Sequence, residues 1–134
     1  MDIHVGDHEH QALSGEAQVW RNLMCELYEK NGSVQGGYRP VFVLSNNKNN
    51  AFSPTLNVIP LTSKVGKNNL PIHVDLRDYE RYGLRKASTL LIEQITTVSV
   101  KQLSIRIGEI NDTATLSRIY QALEIQFPIV RMFS

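Results

Sequence analysis

Apolar and polar positions change their period along the chain. Leu13, Ala17, Trp20, Leu23, Met24 and Leu27 recur at helical spacing, and Asn31-Gly32 would end such a helix. The same stretch also contains an alternation, Leu23, Cys25 and Leu27, that fits a strand over 22–28. Periodicity alone favours the helix. Beyond it the period shortens. Residues 41–45 form an apolar run of the buried-strand type, the Asn- and Lys-rich run 46–50 is a solvated loop or short helical turn, and 55–61 is a second strand. The segment 64–71 mixes two lysines with glycine, asparagine and proline breakers and reads as a mobile, mildly basic loop. Strands are expected at 72–76 and at 88–97, separated by the charged stretch 78–86 with Gly83 as its punctuation. A helical turn at 100–103 leads to a half-buried strand at 105–110. The last element is the clearest helix: Asn111-Asp112-Thr113 supply caps, Leu116, Ile119, Tyr120, Leu123 and Phe127 make one apolar face, and Pro128 stops it. The pattern predicts a mainly β domain with helices (α+β), a small antiparallel barrel carrying a C-terminal helix.

Composition narrows the function. At 134 residues one domain is expected, with 1–18 a polar, flexible extension and 19–134 the folded part. The 14 Lys and Arg against 13 Asp and Glu leave a formal net charge of +1, so nucleic acid would have to be met by a local patch. The single cysteine, Cys25, excludes an internal disulfide, fits a reducing cytoplasm and lies among apolar neighbours as a packing residue would. No apolar run approaches a membrane span, and the reading is of a soluble cytoplasmic protein with no membrane partner. His4, His8 and His10 have no cysteine or distant carboxylate to complete a ligand set, so a solvated tail is the plainer reading and neither metal nor cofactor is expected.

The chemistry centres on Ser33-Val34-Gln35-Gly36-Gly37-Tyr38-Arg39-Pro40, followed by the apolar run Val41-Phe42-Val43-Leu44. Two glycines free the backbone, and Pro40 fixes the exit into an extended segment, which sets Arg39 at the base of a strand. A guanidinium so held matches phosphate oxygens; on these residues alone a surface ion pair is the plainer reading. Three further groups could meet it: Thr62-Ser63 at the end of a strand, the loop 64–71 with Lys64, Lys67 and Asn68, and the polar pair Glu93-Gln94 inside an apolar run. Together they would supply what RNA cleavage by its own 2′-hydroxyl demands, proton transfer at two oxygens and donors around a phosphorus that gathers charge. Against this stand plainer roles: a carboxylate paired with a lysine for Glu93, a backbone-bonded hydroxyl for Thr62, and a satisfied core or groove residue for His73.

The series Gly32 to Val41, then Phe52-Ser53-Pro54-Thr55, Pro60-Leu61-Thr62-Ser63, Pro71-Ile72-His73-Val74 and Leu91-Ile92-Glu93-Gln94-Ile95, resembles the MazF/PemK family of toxin endoribonucleases across roughly residues 22–127. The resemblance implies a dimeric SH3-like, PemK-type barrel that cuts single-stranded RNA at a short sequence without metal, leaving a 2′,3′-cyclic phosphate and a 5′-hydroxyl. It implies that Arg39 and Thr62 are catalytic, with Arg39 mediating proton transfer and neutralising the phosphate while Thr62 holds developing charge. Ser63, Glu93 and Gln94 would support catalysis or bind RNA. Gln35, Gly36, Gly37 and Tyr38 fall on a segment that gates RNA and is displaced by an acidic antitoxin, and Lys64, Lys67 and Asn68 on a loop lining the RNA groove. The family's spacing also places a strand over 22–28, against the helical periodicity. Two departures stand out. Trp20-Arg21-Asn22-Leu23 occupy the place where members have Gly-Asp or Gly-Glu, and Thr96 stands where members carry Arg or Lys. A competing function is a non-catalytic toxin on the same barrel that acts by protein binding, as gyrase poisons do, and a third is a member that has lost activity and only binds its antitoxin or RNA; retention of both Arg39 and Thr62 argues for the enzyme.

Overall fold

The computed structural model describes residues 15–28, 32, 34–65 and 70–128. Its first element is a strand, β1 (Arg21–Leu27), rather than the helix that apolar spacing favours. The reason lies at Trp20. Its φ of 73° is left-handed, its N–H donates to Val43 O and its carbonyl accepts from Ile110 N, each at 2.8 Å. Those bonds bind the chain sideways into a sheet and leave no helical ladder to continue. Leu23, Cys25 and Leu27 then bury on one face, as the alternation requires.

β2 (Gly37–Val43) pairs antiparallel with β1, and β3 (Thr55–Thr62) with β2. Between them α1 (Asn47–Phe52) is capped by the Asn46 side chain, which accepts from Asn49 N. β4 (His73–Leu76) and β5 (Ser88–Leu91) pair with each other, and β5 continues onto β3. The run expected as one strand over 88–97 is two strands: a 3-10 turn at Ile92–Gln94 separates β5 from β6 (Thr96–Ser99). Both halves pair with β3, β5 at Leu61 and Thr62 and β6 at Thr55 to Val58. The break falls where β3 carries Pro60, which has no N–H to donate to a neighbouring strand. β7 (Leu103–Glu109) closes on the other edge of β1, and α2 (Thr113–Gln126) follows, capped by Asp112 Oδ2, which accepts from Thr115 N at 3.0 Å.

The sheet order is β4-β5-β3-β2-β1-β7 with β6 attached to β3, all antiparallel. No pairing joins β4 to β7 among the described residues, so the expected barrel is an open seven-stranded sheet with a C-terminal helix. Its two faces bury different cores. Val41, Val43, Leu56 and Val58 meet Leu23, Cys25 and Val98 on one face. Phe42, Ile59 and Leu61 meet Ile110, Ile119 and Ala122 on the other, which places α2 against the sheet. Leu116 and Leu123 pack there partly, whereas Tyr120 and Phe127 of the expected apolar face are about two-fifths exposed at 42% each. Tyr120 instead accepts the indole N–H of Trp20 at 3.0 Å.

The last residues of the expected extension touch this domain. Ala17 is fully buried in the first core, and Glu16 Oε1 takes Arg21 at 3.2 Å and Arg106 at 3.6 Å. His4, His8 and His10 lie outside the described residues.

Candidate active site

Arg39 is the third residue of β2, opposite Cys25, and is half-buried. Its guanidinium is fixed at two points: Nε donates to Gly36 O at 2.8 Å and Nη1 to Leu61 O at 3.1 Å. A planar fork held twice by main-chain carbonyls cannot swing, and its remaining donors keep one direction. Burial lowers the Arg39 pKa below its ordinary value, which leaves it charged at neutral pH but a better proton donor than a solvated arginine. The bond to Leu61 places it one residue from Thr62, a buried residue whose Oγ1 accepts from Lys64 N at 3.4 Å.

Arg39, Thr62 and Ser63 line one cavity of about 500 Å³. Its walls include Tyr38 and Ile105, and the Tyr38 hydroxyl meets Ser104 Oγ at 2.5 Å. Two cations from the charged stretch 78–86 that the sequence does not single out, Arg85 and Lys86, line it as well. They arrive there through a backbone contact. Gly83 has φ 78°, and a Cβ on it would lie 1.7 Å from Ile107 O; a Cβ on Gly108 would lie 2.2 Å from Tyr82 O. Only glycines allow the turn at Tyr79–Tyr82 to press against β7 and deliver the next residues to the cavity. The signal present in the sequence was the cation pair Arg85-Lys86, which only Leu84 separates from that glycine.

Other candidates fall elsewhere. Glu93 is not a lining residue of the Arg39 cavity: its Oε2 lies 2.9 Å from His73 Nε2, and its buried Oε1 has no hydrogen-bond partner among the described residues. The partner is therefore a histidine rather than the lysine considered from sequence. Gln94 Oε1 accepts from Gln35 N at 2.8 Å. That bond pins the segment whose next carbonyl, Gly36 O, holds Arg39. Gly37, with φ 74°, donates to Tyr28 O at 3.1 Å and closes the hairpin. Lys64 is exposed and is not among the residues lining the Arg39 cavity, and Lys67 and Asn68 lie outside the described residues. Burial, with the charge of Glu26, pushes the Cys25 thiol up to about 12, so it is protonated and acts in packing.

Comparison with known proteins identifies the family and the fold. Residues 21–127 match the model of the PemK-like, MazF-like toxin of type II toxin-antitoxin systems. The chain is 38% identical over 99 residues to "Endoribonuclease EndoA" of Bacillus subtilis, covering 74% of this chain and 84% of that protein. Among solved structures it is similar to Mycobacterium tuberculosis toxin MazF-mt6, with a TM-score of 0.67 at 19% identity, covering 81% of this chain and 96% of that one. It is similar also to MazE-MazF of Deinococcus radiodurans, with a TM-score of 0.63 at 19% identity, covering 87% and 96%. The fold and the match over most of its length define the class: this chain belongs to the family of PemK-like, MazF-like toxins of type II toxin-antitoxin systems.

Proposed function

We propose that this chain, an RNA-cleaving toxin, cuts single-stranded RNA at a short sequence by activating the substrate's own 2′-hydroxyl. The observation that carries the reading is Arg39, held at two points beside Thr62 in a cavity that also contains Arg85 and Lys86. In the reaction the 2′-oxygen loses its proton and bonds to phosphorus, the bond from phosphorus to the 5′-oxygen breaks, and that oxygen takes up a proton. The products are a 2′,3′-cyclic phosphate and a 5′-hydroxyl. Arg39 donates to the oxygens that gather charge and mediates the proton transfers, its acidity favoured by burial. Thr62 supplies a hydroxyl donor at the same centre, with Ser63 beside it. Arg85 and Lys86 hold neighbouring phosphates. These cations provide the positive charge that phosphoryl chemistry needs, so the mechanism requires no metal.

Partners follow from the same surface. The cationic and apolar cavity suits the acidic and hydrophobic side chains of an antitoxin segment that orders on binding, which would then compete with RNA. Exposed Ile105, Tyr120 and Ile125 support a homodimer. No helix among the described residues is long and apolar enough to cross a membrane, and the reading places the protein in the cytoplasm with its RNA.

The test is incubation with a long mixed-sequence RNA in excess chelator, with the cut ends identified. Cyclic-phosphate and 5′-hydroxyl ends are expected. Cutting that begins only when a divalent ion is restored would overturn the mechanism.

A further inference from the structure

Asn22 of β1 is fully buried, paired across the sheet with Phe42 on one side and Gly108 on the other. Its Nδ2 donates to Tyr82 O at 3.0 Å, across 60 residues of sequence. Its Oδ1 is buried with no hydrogen-bond partner among the described residues. A half-satisfied amide in a core costs stability that an apolar side chain of similar shape, such as leucine, would not. The residue also lies in Trp20-Arg21-Asn22-Leu23, where this chain departs from the family pattern. Packing does not account for it, and the carbonyl it holds does.

That carbonyl ends the turn Tyr79–Tyr82 and begins an arm that runs to Ser88. Gly108 backs it, since a Cβ there would lie 2.2 Å from Tyr82 O, and Gly83 presses on Ile107 beside it. Ile107 is an extra residue in the β1–β7 ladder: Asn22 pairs with Gly108 and Leu23 with Arg106, so position 107 has no partner on β1, the count of a β-bulge. Tyr82 is held at its side chain as well, its hydroxyl lying 2.9 Å from both Asp112 Oδ1 and Thr115 Oγ1. The far end of the arm is fixed where Ser88 Oγ donates to Lys86 O at 2.9 Å. Between the two anchors Arg85 and Lys86 are exposed, line the Arg39 cavity and pair with no carboxylate among the described residues.

We propose that Asn22 is a positioning residue for this arm: through the Tyr82 carbonyl it fixes the point from which Gly83 and Leu84 carry Arg85 and Lys86 to the phosphates beside the cut. The proposal rests on the RNA-cleaving reading and deepens it by naming what aims the two cations. Asn22 itself touches neither RNA nor the reacting atoms. Without its amide the arm keeps both charges but loses its fixed origin. The cations must then be ordered at the moment of binding, and the loss falls on affinity rather than on the chemical step.

The test measures steady-state cleavage of one RNA strand at several salt concentrations, with a thermal melt of each protein. Asn22→Leu, close to asparagine in shape and free of the stranded oxygen, should raise KM about tenfold with kcat within about twofold of the full chain, and its melting temperature should not fall. Cations that no longer meet phosphates release fewer counterions, so the slope of log KM against log salt concentration should drop by about one. In a protein already carrying Arg85→Ala and Lys86→Ala, Asn22→Leu should raise KM no further, because both changes remove the same interaction. Asn22→Val gives the same readings should the leucine variant not fold. The proposal is overturned if KM and its salt slope stay at the full-chain values, if kcat falls as much as KM rises, or if the loss adds in full to that of the double cation variant. It is overturned likewise if neither substitution at Asn22 folds, since the residue would then serve the fold alone. A full chain that cuts no RNA at all is a different result: it removes the RNA-cleaving reading itself, and the proposal with it.

Discussion

Arg39 donates from Nη1 to the main-chain oxygen of Leu61 at 3.1 Å, one residue before Thr62. The two residues proposed to act on phosphorus are thus tied to each other through the backbone of β3 rather than through their own side chains. This arrangement leaves the Thr62 O–H proton, whose oxygen accepts from Lys64 N, and the free edge of the guanidinium to the substrate. It also makes the site depend on fork geometry as much as on charge.

Arg39→Ala should lower the cleavage rate by about 10²–10³ or more, while the melting temperature moves little, because the half-buried side chain acts on charge rather than filling the core. Arg39→Lys should recover only a small part, since an ammonium cannot bridge the Gly36 and Leu61 carbonyls as a planar fork does. Single-turnover cleavage beside a thermal melt checks both. A lysine variant with near wild-type rate would contradict the geometric role.

Gln94→Ala should reduce the rate roughly ten- to hundredfold although it leaves Arg39 in place, because the Gln35 N–H loses the acceptor that fixes the segment ahead of the arginine. Gln94→Glu keeps an acceptor at that point and should restore much of the loss. Equal rates for the wild-type and alanine proteins would show that the segment is fixed by other means.

Most of the strands and α2 were legible in the sequence because their signals are local: an apolar run, an alternation, a cap. β1 was harder. Ala17, Trp20, Leu23 and Leu27 happen to fall at helical spacing, and what turns the chain into a strand is a left-handed Trp20 bonded to Val43 and Ile110, residues remote in sequence. The break at Ile92–Gln94 was hidden for a related reason, since Leu90, Leu91 and Ile92 read as one apolar run and the shift is set along β3. At the site, Arg39 and Thr62 stood out through the motif that contains them. Arg85 and Lys86 did not, because their arrival depends on the contact between Gly83 and the backbone of β7.

Acid should weaken the fold partly through Asp112. Burial works to raise its pKa, but hydrogen bonds from Thr115 and Tyr82 outweigh it and hold the carboxyl below its ordinary value. A folded-state pKa below the unfolded one contributes stability above the unfolded value, about 4, and that contribution disappears as pH falls through the folded value. Asp112→Asn, which keeps a cap but cannot titrate, should therefore show a flatter loss of stability between pH 7 and pH 3 than the wild type. Asp112→Ala should cost about 1 kcal/mol at pH 7 through the lost cap. Urea unfolding at both pH values measures this, and parallel curves for wild type and asparagine variant would contradict it.

Shortening the chain should separate two parts of its first eighteen residues. A chain beginning at Gly15 keeps the buried Ala17 and the Glu16 contacts to Arg21 and Arg106, and should match the full chain in melting temperature and cleavage. A chain beginning at Val19 loses both and should be less stable by about 1 kcal/mol, chiefly from the exposed site of one methyl group. A large drop already at the first truncation would place residues 1–14 within the working domain.

The central claim is that the RNA's own 2′-hydroxyl attacks the phosphate held by Arg39. The most direct measurement replaces that single hydroxyl by hydrogen at the preferred cut in an otherwise unchanged oligonucleotide, and follows both binding and cleavage in excess chelator. The substituted strand should bind with nearly the affinity of the parent and remain uncut. Cleavage of the substituted strand at the same phosphate would contradict the account, because another nucleophile would then be doing the work.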